Sequence, residues 1–324
     1  MAARATRSAS RKARCTEAVA TGPFGALSHD ELGVIFDGLA DPLQPVVAVA
    51  LSRTCLGLRT PLRAALEVLK ERHGRANALC RKIGSTSRPF EAWIRGTTCS
   101  RLRDAVRLHC GPDTVGRGSA GLTADETATL GMILCKLPEL KTIFVHDVTF
   151  DGAGMNSLCE CFRRVCLPSL KNLSLTRCSL GPTVAEALAA AIRRGALPNL
   201  ETLGLGGNFL GAQGAAALAT PLRTLPRLHS LHLWSNNIGD KGVASLLDKL
   251  GKDDFKALER LSIASNNITD VGCAAIVASL DADAMPLLQF IPVTGEGGSQ
   301  QTQQARNAVS DALARAKGRR GAAG

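Results

Sequence analysis

The chain has 324 residues, 45% of them apolar and 3% aromatic with no tyrosine, and its 39 Lys and Arg against 28 Asp and Glu give a net charge of +11. The apolar share supplies a core and excludes wholesale disorder. No apolar run reaches the roughly 18–20 residues of a bilayer-spanning helix, and the glycines lack the three-residue period of a collagen.

The charge is concentrated in the tails and the N-terminal third. Residues 1–20 hold five basic and one acidic side chain, 21–110 hold thirteen and eight, and 295–324 hold five and two. Residues 111–294 hold sixteen basic and seventeen acidic, so that middle is neutral and argues against a nucleic-acid groove there. The cysteines number eleven and the first 20 residues lack an apolar signal region, so reduced thiols in the cytosol or nucleus are expected.

Arg4, Arg7, Arg11 and Arg14 would share one face of a helix, but the opposite face is Ala, Ser and Thr. A solvated basic tail over 1–26 is expected, with a nuclear signal or a transit peptide as alternatives. Residues 28–39 carry a helix signal: Ser28 with Glu31 is a capping box, and Leu32, Ile35, Phe36 and Leu39 form an apolar face. A second apolar run covers 46–51. A third helix starts at Thr60–Pro61, shows Leu62, Leu66 and Leu69 on one side, and is expected to break at Gly74. The order of apolar anchors over 27–70 resembles an F-box, although Ser28 stands where a proline is usual and no tryptophan falls near Leu56–Leu58. The resemblance implies docking to a ubiquitin-ligase adaptor through Leu32, Ile35 and Phe36. The alternative reading of 27–100 is a helical cap over the exposed apolar end of a repeat array.

Val106 and Leu108 read as a short strand and 123–137 as its helix, with a glycine-rich loop between them. From Leu137 the chain repeats itself. LPELKTIFVHDVTF, LPSLKNLSLTRCSL, LPNLETLGLGGNFL, LPRLHSLHLWSNNI and FKALERLSIASNNI share one frame, and MPLLQFIPV fits its first half. Equivalent leucines fall at Leu140, Leu170, Leu200, Leu228, Leu258 and Leu288, spaced 30, 30, 28, 30 and 30 residues apart. The first half of each unit alternates at period two, which predicts a strand. The second half changes period: Val243, Leu246, Leu247 and Leu250 occupy one face of a helix. Asn208, Asn236 and Asn266 stand where the chain leaves the strand, and an amide there can both donate to and accept from stranded backbone groups.

This pattern resembles the leucine-rich repeat family, in particular its ribonuclease-inhibitor-like subclass, over about 137–293. The resemblance implies an α/β solenoid spanning 101–294, with a curved parallel sheet inside and helices outside. It also implies that Cys178 is an accepted substitute at the Asn position, whereas Val148 departs from the pattern. Residues 295–324 are read as a second basic tail, with Ala305, Val309 and Leu313 as the inward stripe of a capping helix and the final GRRGAAG disordered.

No catalytic constellation is present in the sequence: there is no phosphate-cradling glycine loop and no nucleophile elbow. Cys159 and Cys161 are two apart on a predicted helix and read as buried apolar residues. His229 and His232 point to opposite faces of a strand, and Asp253 and Asp254 read as solvated loop carboxylates. A non-enzyme without cofactor is the expectation. There remains the concave face, where the residues between the inward leucines lie. Phe144, His146, Thr176, His232, Trp234 and Arg260 are its candidate contacts for a protein partner, with Asp147, Arg177 and Ser265 flanking them. The expected protein is a monomeric scaffold, with an F-box-type substrate receptor as its sharper form. The alternatives are an activator of a Ran-like GTPase, for which the basic C-terminal tail is the wrong charge, and a scaffold whose basic tails bind nucleic acid.

Overall fold

The computed structural model describes residues 40–42, 44–54, 63–81, 83–86, 94–95, 105, 107–110, 124–134, 136–137, 139–150, 152–164, 167–251, 254–294 and 301–323. The chain divides into two units, one of residues 1–79 with 98–100 and the other of residues 80–97 with 101–324. The capping box at Ser28, the anchors Leu32, Ile35 and Phe36, the basic N-terminal tail, the glycine-rich loop and Asp253 lie outside the described residues.

The first unit contains α1 (Val46–Thr54) and most of α2 (Arg63–Cys80). Ala48, Leu69, Ala76 and Leu79 are buried. His73 Nδ1 donates to the Pro42 carbonyl at 2.6 Å, and Asn77 Nδ2 donates to His73 Nε2 at 2.9 Å, so one imidazole ties the entry of α1 to α2. Gly74 does not break α2: a lone glycine lowers helix propensity by about 1 kcal/mol, which 18 residues of otherwise good helix formers outweigh.

The second unit is a sheet of eight strands in the order β2-β1-β3-β4-β5-β6-β7-β8. β1 (Gly84–Thr86) and β2 (Ile94–Arg95) pair antiparallel at one edge. Gly84-Ser85-Thr86 has no apolar alternation to announce the pairing. The other six strands are parallel: β3 (Arg107–Cys110), β4 (Thr142–His146), β5 (Asn172–Thr176), β6 (Thr202–Gly204), β7 (Ser230–His232) and β8 (Arg260–Ser262). Between them run α3 (Ala124–Leu134), α4 (Gly152–Arg164), α5 (Gly181–Arg193), α6 (Gly211–Arg223) and α7 (Gly239–Leu247), and α8 (Asp270–Asp281) follows β8. This is the α/β leucine-rich-repeat solenoid that the repeats imply.

The register follows from the spacing of the leucines. Leu173, Leu203, Leu231 and Leu261 are successive Cα partners across β5 to β8, each at most 3% exposed. A second column is Val145, Leu175, Leu205, Leu233 and Ile263, all buried. Each such side chain is worth about 1.5–3 kcal/mol of transfer free energy, and a single unit has nowhere to bury it.

The turns leaving the strands are held by an amide ladder. Asn266 Oδ1 accepts from Asn236 N at 2.8 Å, Asn236 Oδ1 from Asn208 N at 3.0 Å, and Asn208 Oδ1 from Cys178 N at 2.8 Å. Each Nδ2 donates to carbonyls of its own unit and the unit before, as Asn236 does to Leu233 O at 2.9 Å and Leu205 O at 2.8 Å. At Cys178 the thiol takes the amide's place and reaches Thr176 O at 3.2 Å, while the Val148 backbone amide bonds its sulfur. That is how the first unit's turn is held despite Val148.

Two glycines explain the entry to α7. Gly239 has φ +63°, a conformation that an L side chain rarely adopts. Gly242 sits where a Cβ would overlap Ile238 Cγ2 and lie 3.2 Å from Ala215 Cβ, so it sets the distance between α7 and α6. Acidic caps cross from unit to unit. Asp240 accepts from Thr269 N at 2.8 Å and Gly272 N at 3.0 Å at the start of α8, and Asp270 accepts from Thr302 N at 2.7 Å before the next helix.

That last helix, α9 (Gln303–Ala323), packs on α8. Its inward stripe is Val309, Ala312 and Ala316, with Ala305 and Leu313 only half-buried. The stripe is thus rotated by about one residue from the expected one. Arg315 makes a bidentate pair with Asp281, and Arg319 donates to Leu280 O at 2.7 Å. The helix continues through Gly318 to Ala323, over most of the stretch expected to be disordered. Among the described residues no helix is long and apolar enough to cross a membrane.

Candidate protein-interaction face

On one side of the sheet the leucine columns meet the helices. On the other side the intervening residues stand in register rows. One row is Arg107, Thr142, Asn172, Thr202, Ser230 and Arg260, and the next is His109, Phe144, Ser174, Gly204, His232 and Ser262. All six candidate residues, Phe144, His146, Thr176, His232, Trp234 and Arg260, stand on this side. They form two clusters and a groove.

The first cluster is a triad of rings. Phe144 is 41% exposed and lies 5.6 Å from His109 and 5.3 Å from His146, centroid to centroid. His109 and His146 stack at 5.0 Å and share a hydrogen bond between their Nε2 atoms at 2.8 Å. His146 Nδ1 faces Asp147 Oδ2 at 3.2 Å. In the tautomer that gives Nδ1–H to that carboxylate, His146 Nε2 accepts and His109 donates the shared bond. His109 is buried although it is on the outward face, because the two other rings cover it. Sequence reasoning did not single it out: β4 follows β3 at a spacing of 35 residues, outside the 30-residue frame.

The second cluster holds Trp234. Its indole lies flat on Gly206, where a Cβ would come within 2.6 Å of the ring carbon Cδ2. The Arg177 guanidinium sits 5.2 Å from the ring centroid, a cation–π contact. Arg177 in turn lies 3.9 Å from Asp147, so Asp147 links this cluster to His146. The tryptophan is half-buried by its neighbours and keeps one side to solvent. Asp147, Arg177, Ser235 and Ser265 all have φ between +52° and +56°, so the flanking residues occupy one left-handed corner repeated from unit to unit. Thr176 Oγ1 lies 3.0 Å from Ser174 Oγ, and Arg260 is exposed.

Between Phe144 and His232 lies a groove of about 550 Å³ floored by Ser174 and Gly204. Three strand spacings of about 4.8 Å put its two walls about 14 Å apart. Its rim at the strand starts carries Arg107, Lys141 and Lys171, and among the described residues no acidic side chain lines it. Lys171 pairs with Glu201 at 2.6 Å, on the next unit and outside the groove. Burial, then the nearby Arg260 charge, pushes the His232 imidazole below its ordinary range, so at neutral pH His232 is an uncharged wall. Sequence reasoning missed the three rim cations, although Lys141 and Lys171 occupy the same place in adjacent units.

The family model described as Leucine Rich repeat matches residues 225–247 and 257–277, the fourth and fifth units of the frame. No curated protein matches the sequence significantly.

Proposed function

We propose that the chain is a non-enzymatic scaffold that binds a protein partner on the helix-free face of its repeat sheet. The observation that carries this reading is the arrangement of Phe144 and Trp234: two large rings on a face that packs against no helix among the described residues, one 41% exposed and the other pinned by Gly206 and Arg177. Rigid aromatic and Arg side chains that lose little freedom on contact are the usual anchors of an interface. Affinity purification of the full chain from its native cell, beside Phe144→Ala and Trp234→Ala, tests it. Both variants should lose a partner that the wild type retains. Identical partner sets for all three remove the reading.

Its finer form, an F-box-type substrate receptor, is supported by the apolar order of residues 27–70 and by the exposure of Val46 and Val47 on α1. In that form Ile35→Asp in the full chain releases the ligase adaptor and leaves the repeat-bound partner in place. An adaptor that never co-purifies with the wild type reduces the protein to the plain scaffold.

A further inference from the structure

We infer that the segment taken by this face is an extended acidic peptide, laid across the strands in the groove between Phe144 and His232; the inference rests on the scaffold reading above. Three observations carry it. The first is charge: Arg107, Lys141 and Lys171 line one rim, and among the described residues no carboxylate lines the groove. Lys171 is 46% exposed in its pair with Glu201, a weak and solvent-screened contact that an incoming carboxylate can share or replace. The second is size. A trough about 14 Å across holds about four residues of extended chain at about 3.4 Å each. The third is the floor, where polar Asn172, Ser174 and Thr202 side chains face a bound backbone while Phe144 offers an exposed ring at one wall.

The position before each strand reads Lys141, Lys171, Glu201, His229 and Glu259 along the units. The cationic rim is therefore confined to the early units and ends where carboxylates begin. A short acidic segment fits that pattern, with its carboxylates over β4 and β5, beside Lys141 and Lys171. A phosphate backbone fits it poorly: residues 111–294 hold sixteen basic and seventeen acidic side chains, so no extended positive field follows the sheet.

The test is to pan a random peptide library against the immobilised full chain and to measure the recovered peptides by fluorescence anisotropy. The expected peptides carry two or more Asp or Glu beside an apolar residue, and their affinity falls with added salt. The double variant Lys141→Glu/Lys171→Gln should weaken them about tenfold or more, as should Phe144→Ala. Both lysines are exposed, so an unchanged far-UV spectrum accompanies the loss. Peptides without acidic bias that are lost in Trp234→Ala overturn the acidic inference and leave the interaction face standing. Peptides indifferent to the lysine, Phe144 and Trp234 variants overturn both. Recovery of no peptide overturns the acidic inference. If the chain then binds single-stranded poly(dT) and the double lysine variant abolishes that binding, the cations serve phosphate instead.

Discussion

Replacing Asn236 by alanine isolates the amide ladder from the leucine columns it joins. The Asn236 side chain is fully buried. It donates to Leu205 O, Leu233 O and Trp234 O at 2.8, 2.9 and 3.2 Å, and accepts from Asn208 N and Leu210 N at 3.0 and 3.4 Å. The three carbonyls keep second donors after truncation: Asn208 Nδ2, Asn266 Nδ2 and Gly207 N. The two amides lose the oxygen that faces them. A stranded buried amide costs about 1–3 kcal/mol, so the pair sets a loss of about 2–6 kcal/mol. Neighbouring Asn237 is the internal control. It is exposed, with φ +55° and a solvent-exposed bond from Asn267 Nδ2 to its Oδ1, and Asn237→Ala should cost about 1–2 kcal/mol, mostly from the left-handed backbone. Urea unfolding followed by far-UV circular dichroism measures both, and hydrogen exchange at the Asn208 and Leu210 amides localises the effect. An Asn236→Ala loss no larger than that of Asn237→Ala would refute the ladder as the element that closes the turns.

Three further outcomes are expected. Gly206→Ala lifts the Trp234 ring off its seat, so in a Trp93→Phe background the remaining tryptophan emission shifts to the red; unchanged emission contradicts the flat packing. His232 binds its proton less tightly folded than unfolded, so its contribution to stability is complete above the unfolded value of about 6.5 and is lost as pH falls below it. Wild type should therefore lose more urea resistance than His232→Gln between about pH 7 and about pH 5. Burial holds the Cys110 and Cys178 thiols up at about 12, so iodoacetamide at about pH 8 should spare both in the native protein and modify both in urea. Native-state alkylation at the rate of a free thiol would count against their burial.

The repeat register is legible in the sequence because it depends on one number, the spacing of the leucines. That spacing puts Leu203, Leu231 and Leu261 side by side, as the structure has them. Which residues stand between those leucines follows from period-two alternation alone, so Phe144, Thr176 and His232 can be placed on the helix-free face from sequence. Contacts that cross units out of register are not legible. The His109–His146 bond joins strands outside the common frame, and the seating of Trp234 depends on Gly206 and Arg177 each contributing from a different unit. β1 and β2 are invisible for another reason: strands of three and two residues are too short to show a period-two alternation. The length of α2 is misjudged at Gly74 when one weak residue is weighed without the rest of the 18-residue helix on both sides of it.

The ladder has an evolutionary consequence. Every joint has the same donor and acceptor, so the joints are interchangeable. Excision of residues 209–236 would bring Asn266 Oδ1 to the Asn208 amide and regenerate the same contact that Asn236 makes there now. Duplication of those residues would do the reverse. The fold can thus gain or lose whole units without inventing a new junction, except beside Cys178, where a sulfur stands in for the amide and the splice would not match.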